Sequence, residues 1–366
     1  MVVLKYIYNY RKALAAIVLK MAGNHLEKGK WEMEYTKLGS TEIEVSKVCV
    51  GCMSFGQAGT MHAWTLDETE SEKMIKHALE LGINFFDTAN SYSAGTSEEY
   101  LGRALKKNIA RDKVVVASKV YFNEGRLTKE AIEREIEGTL KRLGTDYLDL
   151  YMIHRFDFDT PVEETMEALH KLVKAGKVRA IGASAMYGYQ FYNMQLAAQK
   201  NGWTMFSTME NHYNLLYRED ERELIPICRQ MGVSLIPYSP LAAGRLARLE
   251  WKSDSLRSQT DRVAMGKYDK MEQQDRKIVE RVHELSERYQ CKMSQIALAW
   301  QWKRGVTSPI IGATKTVYLD DAVGALNVKL TEDDLAYLEE LYVPHPIVGA
   351  ISHNPEQGVV LIDEKK

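Results

Sequence analysis

The sequence predicts an α/β fold, a (β/α)8 TIM barrel with an N-terminal β-hairpin at its bottom and a long loop after the seventh strand. Three observations carry this. Short β-branched, nearly continuous apolar runs recur eight times from Lys47 onward, and longer segments of helical period lie between them. Apolar strands alternating with helices imply a parallel sheet covered by helices, and eight such units favour closure of the sheet on itself. The rival, an open doubly wound sheet, would place a G-x-G-x-x-G after a strand if it bound a dinucleotide, and the chain has none.

The elements follow in order. Tyr35–Leu38 and Ile43–Val45 flank Gly39-Ser40 and read as a hairpin. The eight strand candidates are Lys47–Cys52, Asn84–Thr88, Val114–Lys119, Leu148–His154, Val178–Ser184, Phe206–His212, Ser234–Ser239 and Ser308–Gly312. Between them, Thr128–Leu143 carries Ile132, Ile136, Leu140 and Leu143 on one face and stops at Gly144. Thr160-Pro161-Val162-Glu163 reads as a capping box with proline at the first helical position. The helix it opens buries Leu169, Leu172 and Val173 and ends at Gly176. Arg245–Asp275 is long, polar and without strand period, an insert over the barrel mouth. No Pro/Gly/Ser-rich linker interrupts the chain after Tyr35, so residues 33–343 are one domain and 344–366 an irregular tail.

Composition narrows the function. Lys+Arg 48 against Asp+Glu 50 leaves a net charge of -2, without the basic excess of a nucleic-acid protein, so no nucleic-acid partner is expected. Cys49 and Cys52 form a C-x-x-C, but positions three apart on a strand face opposite sides, and no second pair completes a metal set. They read, with Cys228 and Cys291, as cysteines in a reducing cytoplasm, and no metal is expected. Residues 1–32 differ in character. Lys5, Arg11 and Lys12 precede a short apolar run, Ala13–Leu19, too short to span a bilayer, so no stable membrane insertion is expected. Leu14, Ile17 and Val18 make a weak apolar stripe. The expectation is that this extension is poorly ordered or not native and that Met33 begins the functional protein. Glu27-Lys28-Gly29-Lys30, read back into codons, is purine-rich and lies where a bacterial ribosome-binding site would precede Met33.

In a barrel enzyme the reactive groups sit at the C-terminal strand ends. Reading off those ends places Asp87 after the second strand with Tyr92 just beyond, Lys119 after the third and His154 after the fourth. Singly, each has an ordinary reading: a helix cap, a packed ring, a solvated ammonium, a core imidazole. Together they make a proton-transfer device. An Asp and a Lys at neighbouring buried strand ends are costly unless paired. The Lys ammonium is expected to lower the pKa of a phenol from about 10. Tyr92 would protonate a carbonyl oxygen that His154 positions. The set has no nucleophile–base pair and no paired carboxylates and suits a reaction in which carbon receives hydride from elsewhere, hence a nicotinamide cofactor.

Four stretches give this reading a family. Gly82-Ile83-Asn84-Phe85-Phe86-Asp87-Thr88-Ala89-Asn90-Ser91-Tyr92, Ala117-Ser118-Lys119, Asp146 to Arg155 and Lys177 to Ser184 resemble, in order, signatures of the aldo-keto reductase superfamily. The resemblance runs from Met33 to Tyr342 and is closest to a bacterial branch related to aryl-alcohol dehydrogenases and potassium-channel β-subunits. It implies that Asp87, Tyr92, Lys119 and His154 are the catalytic tetrad. It implies NADPH, with NADH possible, bound extended across the barrel mouth, and an aldehyde or ketone as the small-molecule substrate. Gly51 and Cys52 would lie near the nicotinamide ribose, and Ser184 and Glu210 would meet the carboxamide. Ser239, Pro240, Leu241, Gly244 and Arg245 would line the pyrophosphate, Gly312, Thr314 and Asp321 the adenosine end, and Tyr238 would also bind the cofactor. Two alternatives accompany it: a cofactor-binding sensor or scaffold, as in channel β-subunits, and conversion of a pentose phosphate to deoxyxylulose phosphate.

The chain departs from the family pattern in places. Ala185 replaces an Asn, and Tyr318 and Ala322 replace a Gln and an Asn near the adenosine. Glu210 replaces a Gln, and a carboxylate there accepts but cannot donate. Lys315 is the nearest cation for a 2′-phosphate. Met53, Trp64, Tyr121, Phe122 and Phe156 are candidates for an apolar substrate rim, and His62 and Arg155 for an anionic, sugar-like substrate.

Overall fold

The computed structural model describes residues 32–251 and 256–351. The extension before Glu32 and the tail after Ile351 lie outside the described residues, and with them the expectations about 1–31 and 352–366.

The chain enters through an antiparallel hairpin of β1 (Tyr35–Lys37) and β2 (Glu44–Ser46), with Thr36 opposite Val45. Leu38, Ile43 and Val45 from this hairpin are buried against Cys49, Phe85, Leu150, Met152, Ala180, Ile236 and Ile310, the side chains that fill the strand layer's interior. Each such burial stabilises by about 1.5–3 kcal/mol. Gly39 makes the turn at φ +58°, and a Cβ there would stand 2.3 Å from the Ser207 carbonyl oxygen. Only glycine lets the turn sit so close, so the hairpin plugs the barrel at its N-terminal end.

Eight parallel strands follow: β3 (Cys49–Gly51), β4 (Phe85–Asp87), β5 (Val115–Val120), β6 (Leu148–Ile153), β7 (Val178–Ser184), β8 (Thr208–Glu210), β9 (Ser234–Leu235) and β10 (Ile310–Gly312). They pair in chain order, and β10 returns beside β3. The ring closes where Thr307 N donates to Leu235 O at 2.9 Å and Ile310 N to Pro237 O at 3.0 Å. Alternate residues divide between two cores. Cys49, Phe85, Val115 and Ala117 face inward, while Val50, Cys52, Phe86 and Val116 face the helices. The two C-x-x-C thiols therefore sit on opposite faces, both buried, and burial pushes both upward in pKa.

The covering helices are α1 (Glu68–Glu80), α2 (Thr96–Asn108), α3 (Lys129–Leu143), α4 (Val162–Lys174), α5 (Gly188–Asn201) and α6 (Leu224–Gln230). The helix expected from Thr128 forms as α3: the Thr128 side chain accepts from Ala131 N, and Gly144 ends it at φ +64°. The capping box expected at α4 does not form. Thr160 Oγ1 donates to Asp157 Oδ2 at 2.7 Å, and Pro161 is the N-cap instead. A nearby buried carboxylate outcompetes the helix's own amide for that hydroxyl.

The insert expected as a long loop after β9 carries two short helices, α7 (Leu256–Thr260) and α8 (Arg262–Tyr268), and runs into α9 (Glu272–Tyr289). Then come α10 (Met293–Lys303), α11 (Thr316–Gly324) and α12 (Glu332–Glu339). The start of the C-terminal segment is pinned: His345 N donates to Glu219 Oε1 at 2.8 Å and its Nε2 lies 2.9 Å from Asp275. Among the described residues no helix is long and apolar enough to cross a membrane.

Candidate active site

Strand alternation delivers the predicted residues to one end of the barrel. Phe85 faces inward, so Asp87 does too, at the end of β4. Val115 and Ala117 face inward on β5, and Lys119 continues that face. Leu150 and Met152 do the same for His154, just past β6. Tyr92 comes from a turn, Tyr92–Gly95, in which Ser93 and Ala94 have left-handed φ of 47° and 55°. Such backbone costs on the order of 1–3 kcal/mol and persists where the surroundings enforce it.

The geometry is tight. Lys119 Nζ lies 2.7 and 2.6 Å from the two Asp87 carboxylate oxygens, 3.1 Å from Thr88 O and 3.4 Å from Tyr92 Oη. The His154 ring meets the Tyr92 ring edge-on, centroids 5.7 Å apart. Lys119 is wholly buried, while Asp87, Tyr92 and His154 line a cavity of about 1780 Å³. Binding sites for drug-sized molecules run to about 1,000 Å³, so this one has room for a larger ligand pair.

The electrostatics correct one expectation. Tyr92's phenol is pushed up, not down: burial dominates, and the carboxylates of Asp87 and Glu210 add to it against the pull of Lys119. Lys119 pulls the phenol down more than either carboxylate raises it, but burial outweighs that pull. Burial, with the charges of Lys119 and Arg155, holds His154 well below its usual pKa, so the imidazole is neutral, and its Nδ1 has no partner among the described residues. A neutral imidazole carries one N–H to offer.

Glu210, at the end of β8, also reaches this cluster. Its Oε2 lies 3.2 Å from Lys119 Nζ. Burial first, then Asp87's charge, push Glu210 up to about 8. Two carboxylates share one ammonium out of water, so one retains a proton. Asp87 holds Lys119 through both oxygens, which leaves the proton to Glu210. A proton kept by Glu210 would let it donate as well as accept.

Of the remaining predicted residues, Gly51, Ser184, Tyr238, Ser239, Pro240, Leu241, Gly244, Arg245, Gly312, Thr314, Lys315 and Asp321 line the same cavity, with Met53 and Phe122. The Ser184 hydroxyl donates to Glu210 O at 2.9 Å. Ser239, Ala242, Ala243 and Gly244 all have left-handed φ, so this loop turns its backbone sharply along the cavity wall. Arg245 pairs with Asp269 and lies over the Trp251 and Tyr268 rings, and Asp321 is held by Lys292 at 2.7 Å.

Four predicted residues are not brought there. Cys52 faces the helices because it follows Gly51 on the opposite side of the strand. Trp64 stacks behind His62 at 4.5 Å and under Arg257 at 4.4 Å, supporting two residues that do line the cavity. Phe156 is buried in the outer core beside Phe158, and Tyr121 stands edge-on behind Phe122. The cavity also takes Arg248, Arg257 and Lys267 from the insert and Lys292 from the N-terminal edge of α10. The density of Arg and Lys in Arg245–Lys270 was the available signal, but without periodicity it did not say which point inward.

Comparison with known proteins agrees with this architecture. The model of the aldo/keto reductase family matches residues 47–343. A versiconal hemiacetal acetate reductase of Aspergillus parasiticus is 42% identical over 341 residues, covering 86% of this chain and 98% of its own. A Schizosaccharomyces pombe protein named as an aryl-alcohol dehydrogenase is 41% identical over 347 residues, 87% of this chain and 98% of its own. A Saccharomyces cerevisiae protein of the same name is 36% identical over 337 residues, 85% and 98%. The kinship with aryl-alcohol dehydrogenases stands. These relatives are fungal, so the expected bacterial branch is without support. By its family match and its relatives the chain belongs to the aldo/keto reductase family.

Proposed function

We propose that this aldo/keto reductase, an NAD(P)H-dependent oxidoreductase of small carbonyl compounds, works through Tyr92 as proton donor. The carrying observation is that Lys119 links Asp87 to Tyr92 Oη beside a neutral His154 at the wall of one large cavity. The nicotinamide supplies hydride to the carbonyl carbon when bound. His154 donates a hydrogen bond to the carbonyl oxygen and fixes its place. As that oxygen gains negative charge it becomes a stronger base than a phenolate, and Tyr92 passes its proton to it. Lys119, 3.4 Å away, stabilises the phenolate that remains, and Asp87 keeps the ammonium charged and aimed.

The residues fit NADPH. The left-handed loop Ser239–Gly244 would hold the pyrophosphate with Arg245, whose buried Nε has no partner. Protonated Glu210 and Ser184 would meet the carboxamide. Lys315 is exposed at the cavity wall, and Arg248 lies over Gly244 beside Tyr318; neither has a carboxylate within 4 Å among the described residues. Two such cations suit a 2′-phosphate and favour NADPH over NADH.

Aromatic aldehydes head the candidate substrates, because two of the relatives carry the name aryl-alcohol dehydrogenase. Steady-state oxidation of NADPH and NADH, with aromatic aldehydes, aliphatic aldehydes and sugar phosphates, tests the reading. Cofactor binding without oxidation on every carbonyl would overturn it.

A further inference from the structure

Among the described residues, seven Arg and Lys side chains line the cavity, and their pairing divides them. Arg245 is matched by Asp269, Arg257 by Asp261 at 3.2 Å and Lys292 by Asp321 at 2.7 Å. Arg248 and Lys315 face the end assigned above to the 2′-phosphate. Two cations remain, Arg155 and Lys267, and neither has a carboxylate within 4 Å among the described residues. Both are half-buried, where a charge without a partner is costly.

Both are held against aromatic rings rather than acids. The Arg155 guanidinium lies 4.7 Å from the centre of the Phe122 ring, and Phe122 stands edge-on to His154 at 5.0 Å. Arg155 is therefore fixed one ring away from the group that would position the substrate carbonyl. The Lys267 ammonium lies 4.6 Å from the centre of the Tyr238 ring. The two cations also feel each other. Burial pushes Lys267 down to about 8; the pull of Asp261 opposes it, and a smaller repulsion from Arg155 adds to it. Two cations facing one cavity, with no carboxylate within 4 Å among the described residues, are stabilised when an anion enters.

We infer that Arg155 and Lys267 form an anion subsite beside Tyr92 and His154, and that the preferred substrates are aldehydes or ketones that also carry a carboxylate or comparable anion. The inference rests on the proposed carbonyl-reductase reading and specifies its substrate class. The chemistry it names, an oxyanion on two cations, could also be met by a phosphate of the cofactor, and the experiment separates the two.

The experiment compares benzaldehyde with 4-carboxybenzaldehyde, and butanal with succinic semialdehyde, on the full chain with NADPH. It uses wild type, Arg155→Leu, Lys267→Met and the charge-keeping Arg155→Lys and Lys267→Arg. A charge-assisted hydrogen bond corresponds to about ten- to a hundred-fold in binding. Wild type should prefer the anionic member of each pair in kcat/KM by that order. The neutralising variants should lose the preference through KM, the charge-keeping variants should retain most of it, and the Kd for NADPH read by fluorescence should hold. Neutralised variants that bind NADPH tenfold more weakly and lose both members of a pair equally would assign the cations to the cofactor and overturn the subsite. A wild type without preference for the anion would overturn it as well. A second readout is independent of turnover: benzoate should bind the enzyme–cofactor complex more tightly than benzamide does, and Arg155→Leu should abolish the difference. Benzoate selectivity without reduction of any carbonyl would mean that the reductase reading had failed and the subsite had not.

Discussion

Replacing Glu210 by Gln tests the charge state of the buried cluster directly. The side chain is 3% exposed, with Lys119 Nζ 3.2 Å away and Asp87 already holding that ammonium at 2.6 Å. Burial and Asp87 raise Glu210 from 4.5 to about 8. At about 1.4 kcal/mol per tenfold change in the proton equilibrium, this is on the order of 5 kcal/mol. The folded state therefore binds a proton that the unfolded chain has released. This contribution is fully present below pH 4.5, falls as pH rises and is gone above about 8. Gln at this position does not titrate, and the other groups largely cancel in a comparison. Denaturant unfolding of wild type and Glu210→Gln between pH 5 and 9 should show the variant gaining about 2–5 kcal/mol relative to wild type, most of it by pH 8. NADPH affinity should be similar for the two at pH 6.5, where Glu210 still donates. Above pH 8 the variant should bind tighter by about two- to tenfold, one hydrogen bond's worth. Stability curves that stay parallel across this range would mean that Glu210 is ionised throughout, and the assignment of the proton would be wrong.

Three further outcomes follow from the geometry. Tyr92→Phe should lower kcat by about 10²–10⁴-fold with the NADPH Kd nearly unchanged, and a variant keeping most of its turnover would remove Tyr92 from the role of donor. Arg248→Gln combined with Lys315→Gln should cut the NADPH-over-NADH ratio of kcat/KM by about tenfold or more, whereas an unchanged ratio would place the 2′-phosphate elsewhere. Gly182→Ala puts a Cβ 2.1 Å from Thr208 Oγ1 and 2.8 Å from Met152 Cγ inside the barrel, and urea unfolding should show a loss of about 1–3 kcal/mol.

Much of the fold was legible because its signals are local. Phe85, Phe86 and Asp87 alternate in, out and in, as a strand's period of two requires, and the same count carries Lys119 and His154 to the mouth. Gly144 stops a helix for a reason held in its own backbone. The cluster at the mouth was readable for the same reason, since three strand ends were marked by residues out of keeping with the apolar runs before them.

What the sequence did not contain was the pairing of side chains across the barrel. Glu210 stands on β8 and Lys119 on β5, which are not neighbours in the sheet, yet their side chains come within 3.2 Å because both point into one narrow interior. That meeting bears on which carboxylate keeps a proton, while burial turns Tyr92's expected shift around. Thr160 likewise was drawn from its helix by Asp157, and Arg155 and Lys267 have no carboxylate within 4 Å among the described residues while their neighbours do. By itself the sequence determined the alternation of strands and helices, the inward face of each strand and the tetrad at the strand ends. Tertiary structure alone decided which charges are shared, which are neutralised and which stand open to a ligand, because those energies depend on distances and burial between residues far apart in the chain.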